Sequence, residues 1–329
     1  MAHEPKTLQQ AIAYFADPDR CFNFLVPRIF PDGPVCPTCQ SKDVRFIATR
    51  RLWECKKDHP KKQFSIKVGT IFEESPIPLD KWMTAVWMIA NCKNGVSSYE
   101  IHRAIGVTQK SAWFMLHRIR VALRTGSFSK IGGSGSEVEV DETFVGGKLK
   151  NMHKEKQARY RALSGTAQFG GSGGKAVVMG MLDRSARQIR ASVVPDVSRL
   201  TLQNAVLQNV EHGTNVYTDQ APAYQRLNQT YLHEVVNHAE TYVRGRVHTN
   251  GLENFWSLFK RNLAGTYVCV EPFHLERYVD EQVFRYNNRG TKENPLTDAD
   301  RFDAVLRNLV GKRLTYKELT GKEGETTPF

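Results

Sequence analysis

Along this chain the apolar positions change period several times, and the changes mark its parts. Residues 7–30 read as one or two short helices, broken around Asp17-Pro18-Asp19 and again at Pro27. The stretch RFIATRRLWEC (45–55) alternates in the manner of a hairpin strand. From 79 to 123 the period becomes helical. LDKWMTAVWMIANCK turns Trp82, Val86, Ile89 and Ala90 inward and stops before Asn94-Gly95. A second helix starts at Ser97 or Ser98 and stops at Gly106. A third, capped by Thr108, runs from Gln109 to about Leu123 with Ala112, Met115, Leu116 and Ile119 inward.

Beyond the Gly/Ser stretch SFSKIGGSGSE (127–137) the period shortens to that of strands, at 137–144, 175–183 and 187–194. A helix at 199–210 precedes a strand at 214–219, and a further short strand falls around 232–236. Three consecutive strands followed by alternating helices and strands predict a mixed α/β sheet covered by helices. HTNGLENFWSLFKR (248–261) then places Leu252, Phe255, Trp256, Phe259 and Leu263 on one helical face. Residues 272–290 form a second amphipathic helix, with Leu275, Tyr278, Val279, Val283 and Phe284 inward. A last helix, DADRFDAVLRNLV, leads into a polar tail.

Charge narrows the choice of partner. Forty-six Lys plus Arg against 34 Asp plus Glu leave a net +12 over 329 residues, which favours a polyanion, most simply nucleic acid. The N-terminus lacks the shape of a signal peptide and no apolar run approaches a membrane span. The six cysteines are not laid out as a disulfide framework, so a soluble protein of a reducing cytoplasm is expected, with no membrane partner.

Three constellations carry chemistry. Cys36 and Cys39 form a C-x-x-C knuckle and Cys55 with His59 a C-x-x-x-H, a closed tetrahedral set for one structural Zn²⁺ in which His59 is the least orthodox ligand. The second and third helices, joined by a Gly-containing turn, suggest a helix-turn-helix. Its outward positions Gln109, Lys110, Trp113, His117 and Arg120 form a plausible DNA-contacting set. A bundle with a solvated basic face fits the same pattern. The basic run that includes Lys148 and Lys150 opens a Gly-rich stretch to 174 that can lie on a phosphate backbone.

The third constellation is acidic. Asp141 and Asp219 each sit in a strand-like run, and Glu253 opens the 248–261 segment, seven residues before Lys260. Two strand-borne aspartates and a helix-borne glutamate can converge at a sheet edge and hold two divalent cations about 3.5–4 Å apart for in-line phosphoryl displacement. Asn250 and Glu253 also have the spacing of a helix cap and its third residue, so a capping box accounts for the same pair. Asp183, followed by Arg184-Ser185-Ala186, reads as a hairpin turn.

In combination, CPTC with the later Cys and His, QFSIKVGTIFEESPIPLDKW, SAWFMLHRIR, VDETFVGGK, VYTDQAPAY and HTNGLENFWSLFKR with HLERYVDEQVFRYNNR resemble the ISXO2-like transposases of the IS1595 insertion-sequence family over roughly residues 8–290. The resemblance implies a zinc ribbon and a DDE catalytic domain of ribonuclease-H-like fold. It makes Asp141, Asp219 and Glu253 the acidic triad for two Mg²⁺ or Mn²⁺ ions and Lys260 the basic residue that follows. Asn250 and His248 are rivals for the third position, because some relatives carry Asn or His there. His59 stands where the commoner ribbon has cysteine.

The expected organisation is N-terminal helices (1–30), zinc ribbon (31–75), helix-turn-helix (76–126), linker (127–136), catalytic domain (137–290) and C-terminal helix and tail (291–329). The implied activity is metal-dependent cleavage at the terminal inverted repeats of an insertion sequence and strand transfer of the 3′-hydroxyl ends into target DNA. Arg261 joins the DNA-contacting residues. A homodimer or larger assembly acting on DNA in a prokaryotic, nucleoid-associated setting is expected. A DNA-binding regulator with an inactive ribonuclease-H-like domain, and a nuclease that cuts without joining, are the competing readings.

Overall fold

A computed structural model describes residues 4–321 apart from 125, 127–128, 148–152, 156, 159–174, 220, 226 and 237–247. Lys148 and Lys150 therefore lie outside the described residues. The chain forms two compact units, one from 1–125 together with 288–328, the other from 126–287.

In the first unit, helix Leu8–Phe15 is capped by Thr7 and helix Pro18–Ile29 by Asp17, whose carboxylate accepts the amides of Asp19 and Arg20. The second helix runs through Pro27 instead of ending there. Pro27 lies in the last turn, where the missing N–H costs one bond and the helix is about to stop anyway. The ribbon follows as β1 (Val44–Ile47), β2 (Leu52–Cys55) and β3 (Gln63–Ser65), antiparallel in that order. Trp53 is its centre, with the rings of Phe22, Phe30, Phe46 and Phe64 between 5.2 and 5.8 Å away. Two of those rings come from outside the strands, so the ribbon borrows its core from the N-terminal helix.

Helices Leu79–Asn91, Ser98–Ile105 and Gln109–Leu123 come next. A capping box of Ser97 and Glu100 starts the second, Gly106 ends it at φ +60°, and Thr108 caps the third. The chain returns to this unit with helix Asp298–Leu306. Its Phe302 meets Trp87, Phe15 and Phe24, while Asp303 accepts Arg28 at 2.9 Å. Helix Asp298–Leu306 is thus part of this core.

The second unit is built on β4 (Glu137–Val145), β5 (Ala176–Asp183), β6 (Gln188–Val194), β7 (Asn215–Asp219) and β8 (Leu232–Val236), in spatial order β6-β5-β4-β7-β8. The first three strands are antiparallel; β7 lies parallel to β4 and β8 parallel to β7. Period-2 alternation along β4 separates two cores. Val138 and Val140 join Met179, Met181, Val216 and the inner face of helix Arg199–Asn209. Across the sheet, Val178, Leu182 and Ile189 pack under helices Asn250–Asn262 and Leu275–Asn287. Leu252, Phe255, Phe259 and Val279 are at most 1% exposed, and burial of each such side chain contributes roughly 1.5–3 kcal/mol.

The Gly/Ser stretch is not a bare linker at its end. Ile131 is buried in the first of these cores and exchanges backbone bonds with Asn209 and Glu211. Gly132, at φ +89°, presses on Thr214 and donates to Asp183. Asp183 also accepts the Ala186 amide at 2.9 Å, which closes the β5–β6 hairpin. This strand order and helical covering are those of a ribonuclease-H-like mixed α/β fold.

Candidate active site and metal centre

The parallel pairing of β4 with β7 aligns Glu139 with Tyr217. Asp219 lies two residues beyond that last pair, close enough for its charge to act on the Asp141 carboxyl. Asp141 is on the sheet face covered by helix Asn250–Asn262. Asp219 ends its strand, and its Oδ1 accepts the Ala221 amide at 3.0 Å, which turns the chain away. Asp141 pairs with Gly180 on the other side. A Cβ at Gly180 would lie 2.7 Å from the Trp256 ring, so only glycine lets the helix settle at this depth. From there the Trp256 indole N–H donates to Asp141 Oδ2 at 2.9 Å.

Burial does most to push the Asp141 carboxyl up to about 7. The charges of Glu142 and Asp219 add to the rise, and the Trp256 bond opposes it. Glu142 points through the opposite face, where its carboxylate accepts the Tyr224 hydroxyl at 2.5 Å. Its carboxyl is raised too, by burial first, with that bond opposing and Asp219 adding. Tyr224, fully buried in the turn after Asp219, is raised well above the usual phenol range by burial and by Glu142. Asp141 and Glu142, in the middle of β4, and Asp219, at the end of β7, thus act on one another electrostatically.

Glu253 stands one turn before Trp256 and is exposed. The capping box read from Asn250 and Glu253 is absent: the cap position is Thr249, whose side chain caps nothing, and Asn250 is already the first helical residue. Glu253 is therefore not spent on capping. Among the described residues its carboxylate takes no hydrogen bond or ion pair. Lys260 and Arg261 are exposed in the last turn of the same helix.

Among the described residues, Cys36, Cys39, Cys55 and His59 are the one group of metal-ligating side chains whose ligand atoms all lie within 4.8 Å of one another. Asp141, Asp219 and Glu253 do not come that close as a set. His59 Nε2 is 3.4 Å from Cys36 Sγ, and Cys39 Sγ 3.6 Å from Cys55 Sγ. His59 Nδ1 bonds the Pro60 carbonyl at 2.7 Å, the partner that orients an imidazole ligand. Desolvation acts to raise the Cys36 thiol, but the Cys39 and Thr38 amides and the neighbouring thiols bring it down to about 6. A closed S₃N set of this kind fits structural zinc.

The helix-turn-helix face needs correction. Lys110 is exposed, Gln109 and Trp113 are half-buried, and His117 and Arg120 are buried. Residues 115–120 of that helix are buried without a break, so over that stretch it has no solvent face. The C-terminal stretch supplies part of the cover. Arg118 donates to the Leu314 carbonyl, and Tyr316 lies on Phe114 and under Lys110. At the end of helix Leu275–Asn287, Tyr286 packs on Phe255, while Asn287 brackets the backbone of Ile189 through two bonds.

Residues that the sequence reading passed over complete the site. Gly180 and Gly251 set the depth of the helix, and Glu139 with Arg184 holds its start. For Glu139 a signal existed, since it lies two residues before Asp141 and so on the same face.

A ribonuclease-H-like mixed α/β sheet with neighbouring acids on two adjacent strands, in a chain that also carries a zinc ribbon, is the domain combination of the transposase class. The family model for the ISXO2-like transposase domain matches residues 132–287, and the model for the transposase zinc-ribbon domain matches residues 17–58. The chain belongs to the ISXO2-like transposases of the IS1595 insertion-sequence family. It is 28% identical over 261 residues to an uncharacterized protein in transposable element ISH50 of Halobacterium salinarum, covering 77% of this chain and 85% of that protein. It is 32% identical over 101 residues to an uncharacterized transposase-like protein of Haemophilus influenzae, covering 30% of this chain and 81% of that protein. A simian T-cell lymphotropic virus intasome in complex with PP2A regulatory subunit B56 gamma aligns at 10% identity over 66% of this chain and 74% of that one, with a TM-score of 0.29, too low to bear on the fold. Among the described residues no helix is long and apolar enough to cross a membrane.

Proposed function

We propose that this transposase is catalytically active, cutting phosphodiester bonds at the terminal inverted repeats of its own element and joining the freed 3′-hydroxyls to target DNA. The observation that carries the reading is the neighbouring pair of Asp141 and Asp219, on adjacent strands, the first with its carboxyl raised to about 7 by burial and nearby acids. Crowded, partly desolvated carboxylates on one face suit divalent cations, whose charge would relieve them. Asp141 and Asp219 are the residues that would hold two Mg²⁺ or Mn²⁺ ions, with Glu253 completing one of them. Ions held there would supply Lewis-acid activation of the attacking water or 3′-hydroxyl and charge stabilisation at the leaving oxygen.

The chain's own residues do the rest. Trp256 orients Asp141, and Lys260 presents a point charge to a phosphate beside the scissile bond. Lys110, Lys148, Lys150 and Arg261 lie along the DNA backbone, with Gln109 and Trp113 at the edge of the recognition helix. Cys36, Cys39, Cys55 and His59 hold one structural Zn²⁺, and the ribbon and three-helix region read the element ends. Two ends must be joined, so the active form is a homodimer or larger assembly on nucleoid DNA in the cytoplasm.

The test is strand cleavage and joining on DNA carrying the element's ends, with Mg²⁺, Mn²⁺ or EDTA, for wild type beside Asp219→Ala and Glu253→Gln. Metal-dependent products from wild type and a loss of orders of magnitude in both variants support the reading. Cutting without joining would make the protein a nuclease, and binding without cutting in any metal a regulator. A near-active Glu253→Gln would move the third position to Asn250 or His248.

A further inference from the structure

We infer that Glu139 and Arg184 form a positioning pair that sets helix Asn250–Asn262, and with it Glu253, against the strand carrying Asp141. The inference rests on the reading of Glu253 as the third acidic ligand.

The helix begins without a side-chain cap of its own, since Thr249 makes no capping bond. An N-terminus left bare has amides in need of acceptors. One acceptor comes from the sheet: Glu139 Oε2 takes the Leu252 amide at 3.0 Å. Glu139 is 1% exposed and lies two residues before Asp141, on the same face of β4. One rigid strand therefore carries both the proposed ligand Asp141 and the group that caps the start of the helix. Leu252, the residue held, immediately precedes Glu253.

Arg184 locks the carboxylate in place. It follows the end of β5 and donates from Nε to Glu139 Oε1 at 2.7 Å and from Nη1 to Glu137 at 3.1 Å. Its Nη2 lies 2.6 Å from the His248 carbonyl and 2.7 Å from His248 Nδ1, and its guanidinium lies over the Tyr217 ring at 4.7 Å. One side chain thus joins β4, β7 and the entry to the helix. His248, a rival for the third ligand in the sequence, is engaged here in that anchor.

The fit is tight from the helix side as well. A Cβ at Gly251 would fall 2.3 Å from Leu182 Cδ2 and 2.9 Å from Glu139 Oε2, so the first turn is pressed onto the carboxylate. A buried ion pair is a weak source of stability, because desolvating the charges offsets much of their attraction. Its directional bonds are better suited to fixing position. A misplaced Glu253 weakens metal binding long before it unfolds the sheet.

The experiment measures strand cleavage against Mn²⁺ concentration for wild type, Glu253→Gln, Glu139→Gln and Arg184→Lys, alongside DNA-end binding and melting midpoint. Glu139→Gln and Arg184→Lys should raise the Mn²⁺ needed for half-maximal cleavage about 10–100-fold, as loss of a group that orients a ligand does, while saturating Mn²⁺ restores the rate to within about threefold and end binding is unchanged. Glu253→Gln should not be rescued by Mn²⁺. If Glu253→Gln is dead but the other two show wild-type metal dependence and only melt lower, the pair is structural and the inference falls while the triad stands. If Glu253→Gln cuts like wild type, triad and inference fall together. Should Glu139→Gln not fold, Arg184→Lys, which keeps the charge and loses the fork, decides on the same criteria.

Discussion

Trp256 donates its indole N–H to Asp141 across 2.9 Å, one helical turn after Glu253. The bond ties the helix that carries one acid to the strand that carries another. It also favours the ionised form of a carboxyl that burial is driving towards neutrality. Packing and electrostatics therefore pull in opposite directions at the centre of the site.

Asp141 should destabilise its own domain. Its folded pKa of about 7 lies above the ordinary 3.8, so the folded state holds the proton more tightly than the unfolded state does. The stability this provides is present below pH 4 and is lost as pH rises through 7. Asp141→Asn, which cannot ionise, should melt higher than wild type at pH 8 in EDTA, by a difference of order 1–3 kcal/mol. The gap should close by pH 4. Thermal melts at the two pH values check it, and an equal gap at both would show that the carboxyl is not strained.

Gly180→Ala tests how closely the helix approaches the sheet. The new methyl group would meet the Trp256 ring at 2.7 Å and Leu252 at 3.0 Å. Neither neighbour is the free end of a flexible chain, since Leu252 and Trp256 are both buried. Overpacking of this kind costs about 1–3 kcal/mol. Because Trp256 must move, the Asp141 bond should break as well. Melting should fall and cleavage should fall further than melting alone accounts for, whereas Gly147→Ala, with open space around it, should change neither.

Much of this was legible because the relevant signals are local. The strands from 137 to 236 were readable from alternation and turn residues; Asp219 does end its strand, whereas Asp141, which the following Gly-Gly pair made look like a strand end, lies in the middle of β4. The grouping of Cys36, Cys39, Cys55 and His59 was readable from knuckle spacing. What was not legible depends on distant contacts. The alternate acids of EVEVD look like a solvent face, yet helix Asn250–Asn262, more than a hundred residues later, covers Glu139. The burial of His117 and Arg120 has no marker within the helix that carries them. Phe302 completes a core begun by Phe15 and Phe24, a pairing that no local pattern encodes.

The revised recognition face leads to a contrast between two cations on one helix. Lys110 is exposed, and Arg120 is 1% exposed. Lys110→Ala should weaken DNA binding across sequences and lower the slope of log affinity against log salt by about one, with melting unchanged. Arg120→Ala should instead lower stability by about 1–3 kcal/mol. Binding titrations at several salt concentrations, paired with melts, separate the two. A salt slope that moves for Arg120→Ala in a protein of wild-type stability would return that residue to the DNA face.

The ribbon should depend on its metal more than the second unit does. Its three strands span four, four and three residues, too short to bury much apolar surface, and their central Trp53 relies on Phe22 and Phe30 from outside. The protein should carry about one zinc per chain. Cys39→Ala removes a thiolate and should release the metal and expose Trp53. His59→Cys should keep it, because sulfur replaces nitrogen in the same tetrahedral set. Metal analysis with tryptophan emission reads both. In Cys39→Ala the sheet of the second unit should retain its melting transition, since its five strands form a sheet separate from the three of the ribbon. Loss of zinc from His59→Cys alone would mean that the Pro60 bond to His59 Nδ1, at 2.7 Å, shapes the site more than the ligand count does.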